Sequence, residues 1–321
     1  MKHEKFKKLL EQIENNSFTD RKLSIKGNNY DATEEQLAER LGNKGAIILS
    51  QVLKKNLHIK SVELFFQNIG DIGVKALAEV DTLEELYLGA NNIKLGGAIA
   101  LAQTKLKLLF LEENNLCTKN DFEISNDDQI STMVEAFIEN KTIIQINLAG
   151  NNIPAKYIAQ LIGRNTTIKE LLIYENYLTD EALEYIQHNK ALEYLNISTN
   201  KITDKGTEYL SNNTSLKVLV ISRCKVTDKG THFLSIHPTL KELEMIDNDI
   251  TIKGLKYILF NTRNKKNKLD KVVVRTDYNK VPEDVLFSFY HKFDEIKKQL
   301  AEEEAIEALV GESILYENTE A

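Results

Sequence analysis

The chain has no tryptophan, three prolines and two cysteines in 321 residues, and it has no long uninterrupted apolar run. Each shortage excludes something. Two cysteines cannot build the disulfide framework that staples small secreted domains. No stretch approaches the roughly 18 apolar residues of a membrane helix, so no membrane span is expected. Lys2, Lys5, Lys7 and Lys8 are interleaved with apolar residues, without the continuous apolar segment of a secretory signal. Chemistry-bearing constellations are missing as well. The six histidines (His3, His58, His188, His232, His237 and His291) are scattered, with no H-E-x-x-H pair and no Cys/His cluster at metal spacing. Gly96-Gly97 lacks the Lys and Ser/Thr that follow a phosphate loop, and there is no G-x-S-x-G elbow. The chain therefore reads as a non-enzyme: no catalytic residue, no metal, no cofactor and no small-molecule substrate is expected.

What is present is a repeated phrase. L-x-x-L-x-L-x-x-N-x-I starts with every key position filled at Leu83, Ile143, Ile168, Leu192 and Leu240. Looser copies start at Ile59, Leu106, Leu216 and Leu269, and a degenerate one places Leu23, Ile25 and Asn28 in register. From Ile59 to Leu269 the starts are 24, 23, 37, 25, 24, 24, 24 and 29 residues apart. A period in the twenties with this phrase is the signature of leucine-rich repeats. The expected fold class is α/β: a leucine-rich repeat solenoid, a horseshoe with a concave parallel sheet and convex helices.

Within the phrase, positions 4 and 6 of a short strand should point into the core, and positions 3, 5 and 7 out of the concave sheet. The position-9 asparagines (Asn91, Asn114, Asn151, Asn176, Asn200 and Asn248) should satisfy backbone groups of adjacent turns. Gln67, Cys224 and Asp277 replace that Asn and predict local irregularity. Thr203-Asp204-Lys205-Gly206, Thr227-Asp228-Lys229-Gly230 and Thr179-Asp180 place a Thr at a helix N-cap, with an acid suited to the helix dipole behind it. Asn140, Asn165, Asn189 and Asn213 stand three residues before the next phrase; Asn tolerates the left-handed conformation that ends a helix. Cys117 and Cys224 fall four repeats apart, roughly 19 Å at about 4.8 Å per strand, far beyond disulfide reach. Both read as buried thiols in a reducing, cytoplasmic compartment.

The run N-x-I/L-x-D-x-G, followed by a helix ending in Asn, resembles the ribonuclease-inhibitor-type branch of the leucine-rich repeat family over about residues 20–280. That resemblance implies a helix on the convex side of every repeat, shorter here because the repeats are shorter. It says nothing specific of function, since the fold hosts unrelated binding activities.

The implied organisation is a capping helix in 1–19 (Phe6, Leu9, Leu10 and Ile13 on one face), a solenoid of about ten repeats over 20–281, a second capping helix in 282–300 (Val285, Leu286, Phe289, Phe293 and Ile296), and an acidic tail over 301–321. Two long spacings interrupt the solenoid, one including Glu34 to Gly45 and one at 118–131 with the polar loop Asn120 to Asp128. Arg263, Lys265, Lys266 and Lys268 read as a solvated turn. From Asp294 to Ala321 there are nine acids and two lysines, which accounts for the net charge of −7 of the whole chain. The block Ala301-Glu302-Glu303-Glu304-Ala305-Ile306-Glu307 resembles the translocation signal of type IV secreted effectors of intracellular Gram-negative bacteria. That likeness implies delivery into a host cytosol.

The repeat register then nominates a site. Glu63, Phe65, Tyr87, Phe110, Glu112, Leu172 and Tyr174 occupy outward positions 5 and 7 of neighbouring copies. Large apolar groups on an open sheet, rimmed by Glu63, Glu85, Glu112, Glu113 and Glu175, have the composition of a protein-binding hot spot. The rim's sign implies a protein partner with Lys or Arg at the contact and argues against nucleic acid. The reading is a monomeric, non-catalytic protein-interaction module, plausible as a bacterial effector engaging a host protein. Its rivals are an intracellular adaptor acting through convex helices or self-association, and an inhibitor of a basic ribonuclease-like enzyme.

Overall fold

The computed structural model describes residues 3–27, 40–117, 127–275 and 279–317. Asn28, Asp277, most of the 118–131 insertion and the first part of the 34–45 stretch lie outside the described residues. Ten three-residue strands form one parallel sheet in strict chain order. They are β1 (Lys22–Ser24), β2 (Ser61–Glu63), β3 (Glu85–Tyr87), β4 (Leu108–Phe110) and β5 (Gln145–Asn147). The series continues with β6 (Glu170–Leu172), β7 (Tyr194–Asn196), β8 (Val218–Val220), β9 (Glu242–Glu244) and β10 (Lys271–Val273).

Helices return the chain between strands. After α1 (His3–Glu14) come α2 (Gly42–Leu53), α3 (Asp71–Ala78), α4 (Leu95–Ala102), α5 (Asp127–Glu139) and α6 (Ala155–Arg164). Then follow α7 (Asp180–Leu183), continued as a 3₁₀ turn through His188, α8 (Asp204–Ser211), α9 (Asp228–Ser235), α10 (Ile252–Arg263) and α11 (Glu283–Glu317). Several span only eight residues, because a repeat of about 24 leaves no room for more once the strand and its turn are made. The core lies between sheet and helices, built from position 4 (Val62, Leu86, Leu109, Leu171) and position 6 (Leu64, Leu88, Leu111, Ile173) of successive strands, all buried.

Three polar columns, buried or half-buried, register the repeats. In the first, the Asn200 amide donates to the carbonyls of Ile173 and Ile197 at 3.0 Å, and its oxygen accepts the Leu178 N–H at 2.9 Å. Asn91, Asn114, Asn151, Asn176 and Asn248 repeat the pattern. The irregularity expected at Gln67 and Cys224 does not arise, since strand pairing continues through β2 and β8. Gln67 reaches the Phe65 carbonyl and the Leu41 N–H with its longer side chain. The Cys224 thiol lies 3.7 and 3.6 Å from the Ile197 and Ser222 carbonyls as a weak donor, and burial pushes its pKa up to about 11. For the last repeat Asn279 donates to the Met245 carbonyl at 3.0 Å, two residues beyond the position that the phrase nominates.

The second column lies at the helix starts. Asp204 reaches into the following repeat, accepting from the Thr227 N–H and hydroxyl at 2.8 and 2.6 Å and from the Gly230 N–H at 2.9 Å. Asp180 and Asp228 do the same for Thr203 and Thr251. The first-turn acids thus work mainly as links between repeats, a role that the dipole argument does not contain. Gly230 is required there: a Cβ would stand 2.5 Å from the Asp204 carboxylate. The capping expectation holds for Thr203 and Thr227, whose hydroxyls accept the N–H two residues on, but the Thr179 side chain makes no such bond; Thr251, which the sequence reading did not nominate, caps α10 in the same way.

The third column corrects the left-handed reading of the helix ends. Asn165 and Asn189 adopt extended backbone, with φ of −76° and −74°. They act through their amides instead. Asn189 donates to the Ile162 and Asn165 carbonyls and accepts the Ala191 and Leu192 N–H groups, and Asn140, Asn165 and Asn213 bond similarly. Left-handed backbone is found instead at position 8 of the repeats from β2 to β9, in the turn after the strand, where Phe66, Ala90, Glu113, Gly150, Glu175, Thr199, Arg223 and Asp247 have φ between 52° and 62°. That turn is what swings the chain inward toward the column of asparagines. At the chain ends, α1 buries Ile13 while α11 buries Leu286, Phe289 and Phe293. The Tyr290 hydroxyl donates to the Val274 carbonyl and accepts its N–H. The α11 helix runs on through the glutamate block, and Glu303 pairs with Lys265 at 3.3 Å.

Asn200→Leu should destabilise the protein by about 2–3 kcal/mol, read as a lower urea midpoint, because it strands the buried Leu178 N–H and leaves the Ile197 carbonyl only the weak Cys224 thiol. His237 takes the Asn place at the end of α9, fully buried, with Nδ1 accepting the Thr239 and Leu240 N–H groups. Burial pushes its pKa down to about 4 from 6.5. The neutral ring is the folded form, so its stabilisation is complete above pH 6.5 and is lost as pH falls toward 4, up to about 3 kcal/mol. His237→Asn should flatten that part of the stability–pH curve.

Candidate functional site

The open face of the sheet is made by positions 3, 5 and 7, and pairing in register sets their side chains in rows. Tyr87 is the direct cross-strand partner of Phe110, and their rings lie 4.7 Å apart at 32°. Phe65, one strand earlier, continues the row at 6.4 Å from Tyr87. Phe65 gains its position from Gly89. A Cβ at residue 89 would stand 2.6 Å from the Phe65 ring and 2.7 Å from the Glu112 carboxylate, so the ring and the acid close over the glycine together.

Leu172 and Tyr174 stand on the β6 repeat, separated from Phe110 by Asn147 and Ala149, both buried. Asn147 spends its side-chain oxygen on the Ala149 N–H at 3.1 Å. The seven nominated residues therefore form a contiguous aromatic row over β2–β4 and a second apolar pair over β6. Every one of them is half-buried or buried by its neighbours. Among the described residues the most exposed large apolar side chains lie elsewhere: Phe287 at 75%, Leu57 at 72%, Ile72 at 67% and Phe260 at 59%.

The acids are not equivalent. Burial opposes the charge of Glu63, yet the Lys22 ammonium at 2.5 Å, the Ser24 hydroxyl at 2.7 Å and Lys26 at 3.6 Å outweigh it and hold the carboxyl below its ordinary range. Lys22 also sits 4.9 Å over the Tyr87 ring. The register-based nomination missed Lys22, Ser24 and Lys26, although the degenerate first copy places them in positions 3, 5 and 7. Glu85 accepts the Tyr87 hydroxyl at 3.2 Å. Burial, with the charges of Glu85 and Glu63, pushes the Tyr87 pKa up to about 12.

Glu112 is different. Its Oε2 is buried and has no hydrogen-bond partner among the described residues, and burial raises its pKa. Its charge, after burial, also raises the pKa of Tyr174. Glu113 is raised by burial and by Glu175. Tyr194, a position-3 residue that the analysis of positions 5 and 7 passed over, is raised by burial and then by Glu244, Glu170 and Glu242. Three tyrosines on three repeats, Tyr87, Tyr174 and Tyr194, thus register a negative field over the concave face. Among the described residues no group of three or more His, Cys, Asp and Glu is placed to hold a metal ion, and no helix is long and apolar enough to cross a membrane.

The folded state disfavours the ionised form of Glu112, so this residue stabilises only below pH 4.5 and costs stability as pH rises through its folded pKa. Glu112→Gln should therefore be at least as stable as the parent at pH 7, with the difference vanishing below about pH 4.5. Urea melts at both pH values would show it.

A leucine-rich repeat family model matches residues 55–78, 82–102, 188–211, 212–231 and 237–259. No curated protein matches the chain. Among solved structures it is similar to internalin C2 of Listeria monocytogenes, with 21% identity over 70% of this chain and 84% of that one and a TM-score of 0.47. It is also similar to internalin F of the same organism, with 19% identity over 87% and 86% and a TM-score of 0.38. With ten parallel strands stacked in chain order, five of them inside segments that the family model matches, the fold is that of a leucine-rich repeat solenoid.

Proposed function

We propose that the chain is a non-catalytic protein-interaction module that engages its partner on the concave face over β2–β6. The observation that carries this is the stacked row Phe65, Tyr87 and Phe110 on the open side of the sheet. Strands need aromatic side chains on a covered face for core packing; here they lie on the uncovered one, rimmed by glutamates, as in the centre of a protein interface. The partner carries basic residues at the contact, and the negative field is opposite in sign to what a nucleic acid needs. Within the repeat family, the Asp-x-Gly helix starts and the Asn-terminated helices support the ribonuclease-inhibitor-like branch. The wider setting that we propose is a bacterial effector acting on a host protein in the host cytosol. It is supported by the glutamate block, which lies within α11.

One observation favours a second reading. The most exposed apolar groups, among them Phe260 on α10 and Phe287 on α11, lie off the concave sheet, and they suit an adaptor working through its outer surface or by self-association.

The combined variant Phe65→Ala, Tyr87→Ala, Phe110→Ala and Tyr174→Ala should lose its partner in pull-downs from eukaryotic cytosolic lysate. Its far-ultraviolet circular dichroism should be unchanged. Equal retention by parent and variant, with a concentration-dependent dimer in light scattering, would move the function to the outer surface.

A further inference from the structure

The concave columns can be followed across the whole sheet as a charge map. From β2 to β9 positions 3, 5 and 7 hold Glu63, Glu85, Glu112, Glu170, Glu242 and Glu244, and no lysine or arginine. Cations occur in these columns only on the terminal strands' repeats, as Lys22 and Lys26 at one end and Lys271 and Arg275 at the other. Three of these four end cations are used internally, Lys22 and Lys26 by Glu63 and Lys271 by Glu242 at 3.1 Å. In the middle of the sheet Glu112, together with Glu113 and Glu175 on the turns beside it, forms no ion pair with a described residue. A sheet face that neutralises its ends and leaves its centre negative selects where a partner's charge must go.

The chemistry of the centre narrows the partner further. Phe110 ends β4 and Glu112 follows two residues on, at the start of the turn, the next outward position at about 7 Å along the chain. An aromatic ring beside an unpaired carboxylate at that spacing suits a planar cation that stacks on one and bonds the other. A guanidinium does both at once, while an ammonium is a compact, strongly hydrated point charge. Position 7 of the neighbouring repeats holds Gly89 and Ala149, which place no long side chain beside Glu112.

Resting on the concave-face reading above, we infer that the occupant of the sheet is a polypeptide segment whose arginine is seated over β4, stacked on Phe110 and bonded to Glu112. Apolar side chains of the same segment cover Tyr87 on one side and Leu172 and Tyr174 on the other. The carboxylate kept there against its own burial is then explained: it is stabilised only when the partner's cation arrives, so removing that cation costs far more than a rim charge would.

The test selects phage-displayed random peptides of about 15 residues, long enough at ~3.3 Å per residue to cross the ten strands, on the parent protein. Affinities of the enriched peptides follow from fluorescence anisotropy. Expected are sequences sharing an arginine flanked by apolar residues. Their binding should weaken about tenfold or more on Arg→Lys in the peptide, and equally on Glu112→Gln with Glu113→Gln and Glu175→Gln in the protein, and be lost on the four-alanine variant. Peptides lost on the four-alanine variant yet indifferent to the three glutamines would overturn the arginine seat while leaving the concave reading standing. Peptides indifferent to both variants, or no enrichment over a heat-unfolded control, would overturn both. Thermal melts of the glutamine variant no lower than the parent's separate loss of the seat from loss of fold.

Discussion

Everything in this molecule depends on satisfying backbone groups at the seams between repeats. A repeat of about 24 residues with a three-residue strand exposes carbonyls and N–H groups on both sides, and the next repeat buries them. Left unpaired, each would cost about 1–3 kcal/mol, enough in sum to forbid the stack. Three columns of side chains supply the missing partners: the asparagines after the strands, the aspartates at the helix starts and the asparagines at the helix ends. Each reaches from its own repeat to a neighbour, so stacking is cooperative by construction and nearest-neighbour in character.

The same economy shapes the concave face. Because the columns and the apolar positions 4 and 6 do the structural work, positions 3, 5 and 7 carry few obligations to the core. What occupies them reflects other demands, and here it is an aromatic row, a negative centre and neutralised ends. Glu112 shows the tension most directly. It is held against Phe65 over Gly89 with one oxygen unpaired, a local arrangement that opposes stability, and proteins keep such arrangements mostly where a site needs them.

Substitutions in the columns show how tolerant the scheme is. Gln67, Cys224 and His237 each replace an asparagine, and pairing continues through all three. The side chain needs only to lie within reach of the same backbone groups in an uncharged form. His237 meets that condition by staying neutral and Cys224 by staying protonated, each kept so by burial. Asn279 meets it from two residues further along the chain than the phrase would place it.

The fold was legible in the sequence because hydrophobic period and turn chemistry are local. Leu83, Leu86, Leu88, Asn91 and Ile93 announce strand, turn and column within eleven residues, and the 24-residue step announces stacking. The outward columns were legible for the same reason, so Phe65, Tyr87 and Phe110 could be placed on one face before any coordinates. What only the tertiary structure decided are the relations that cross repeats. That Asp204 serves Thr227, that Lys22 and Lys26 neutralise Glu63 while nothing described neutralises Glu112, and that Asn165 acts through its amide in extended backbone all depend on distances between segments some 20 to 40 residues apart. A periodic pattern specifies which side of the chain a residue faces; only packing sets what stands opposite it, and with that its charge state and its freedom to bind.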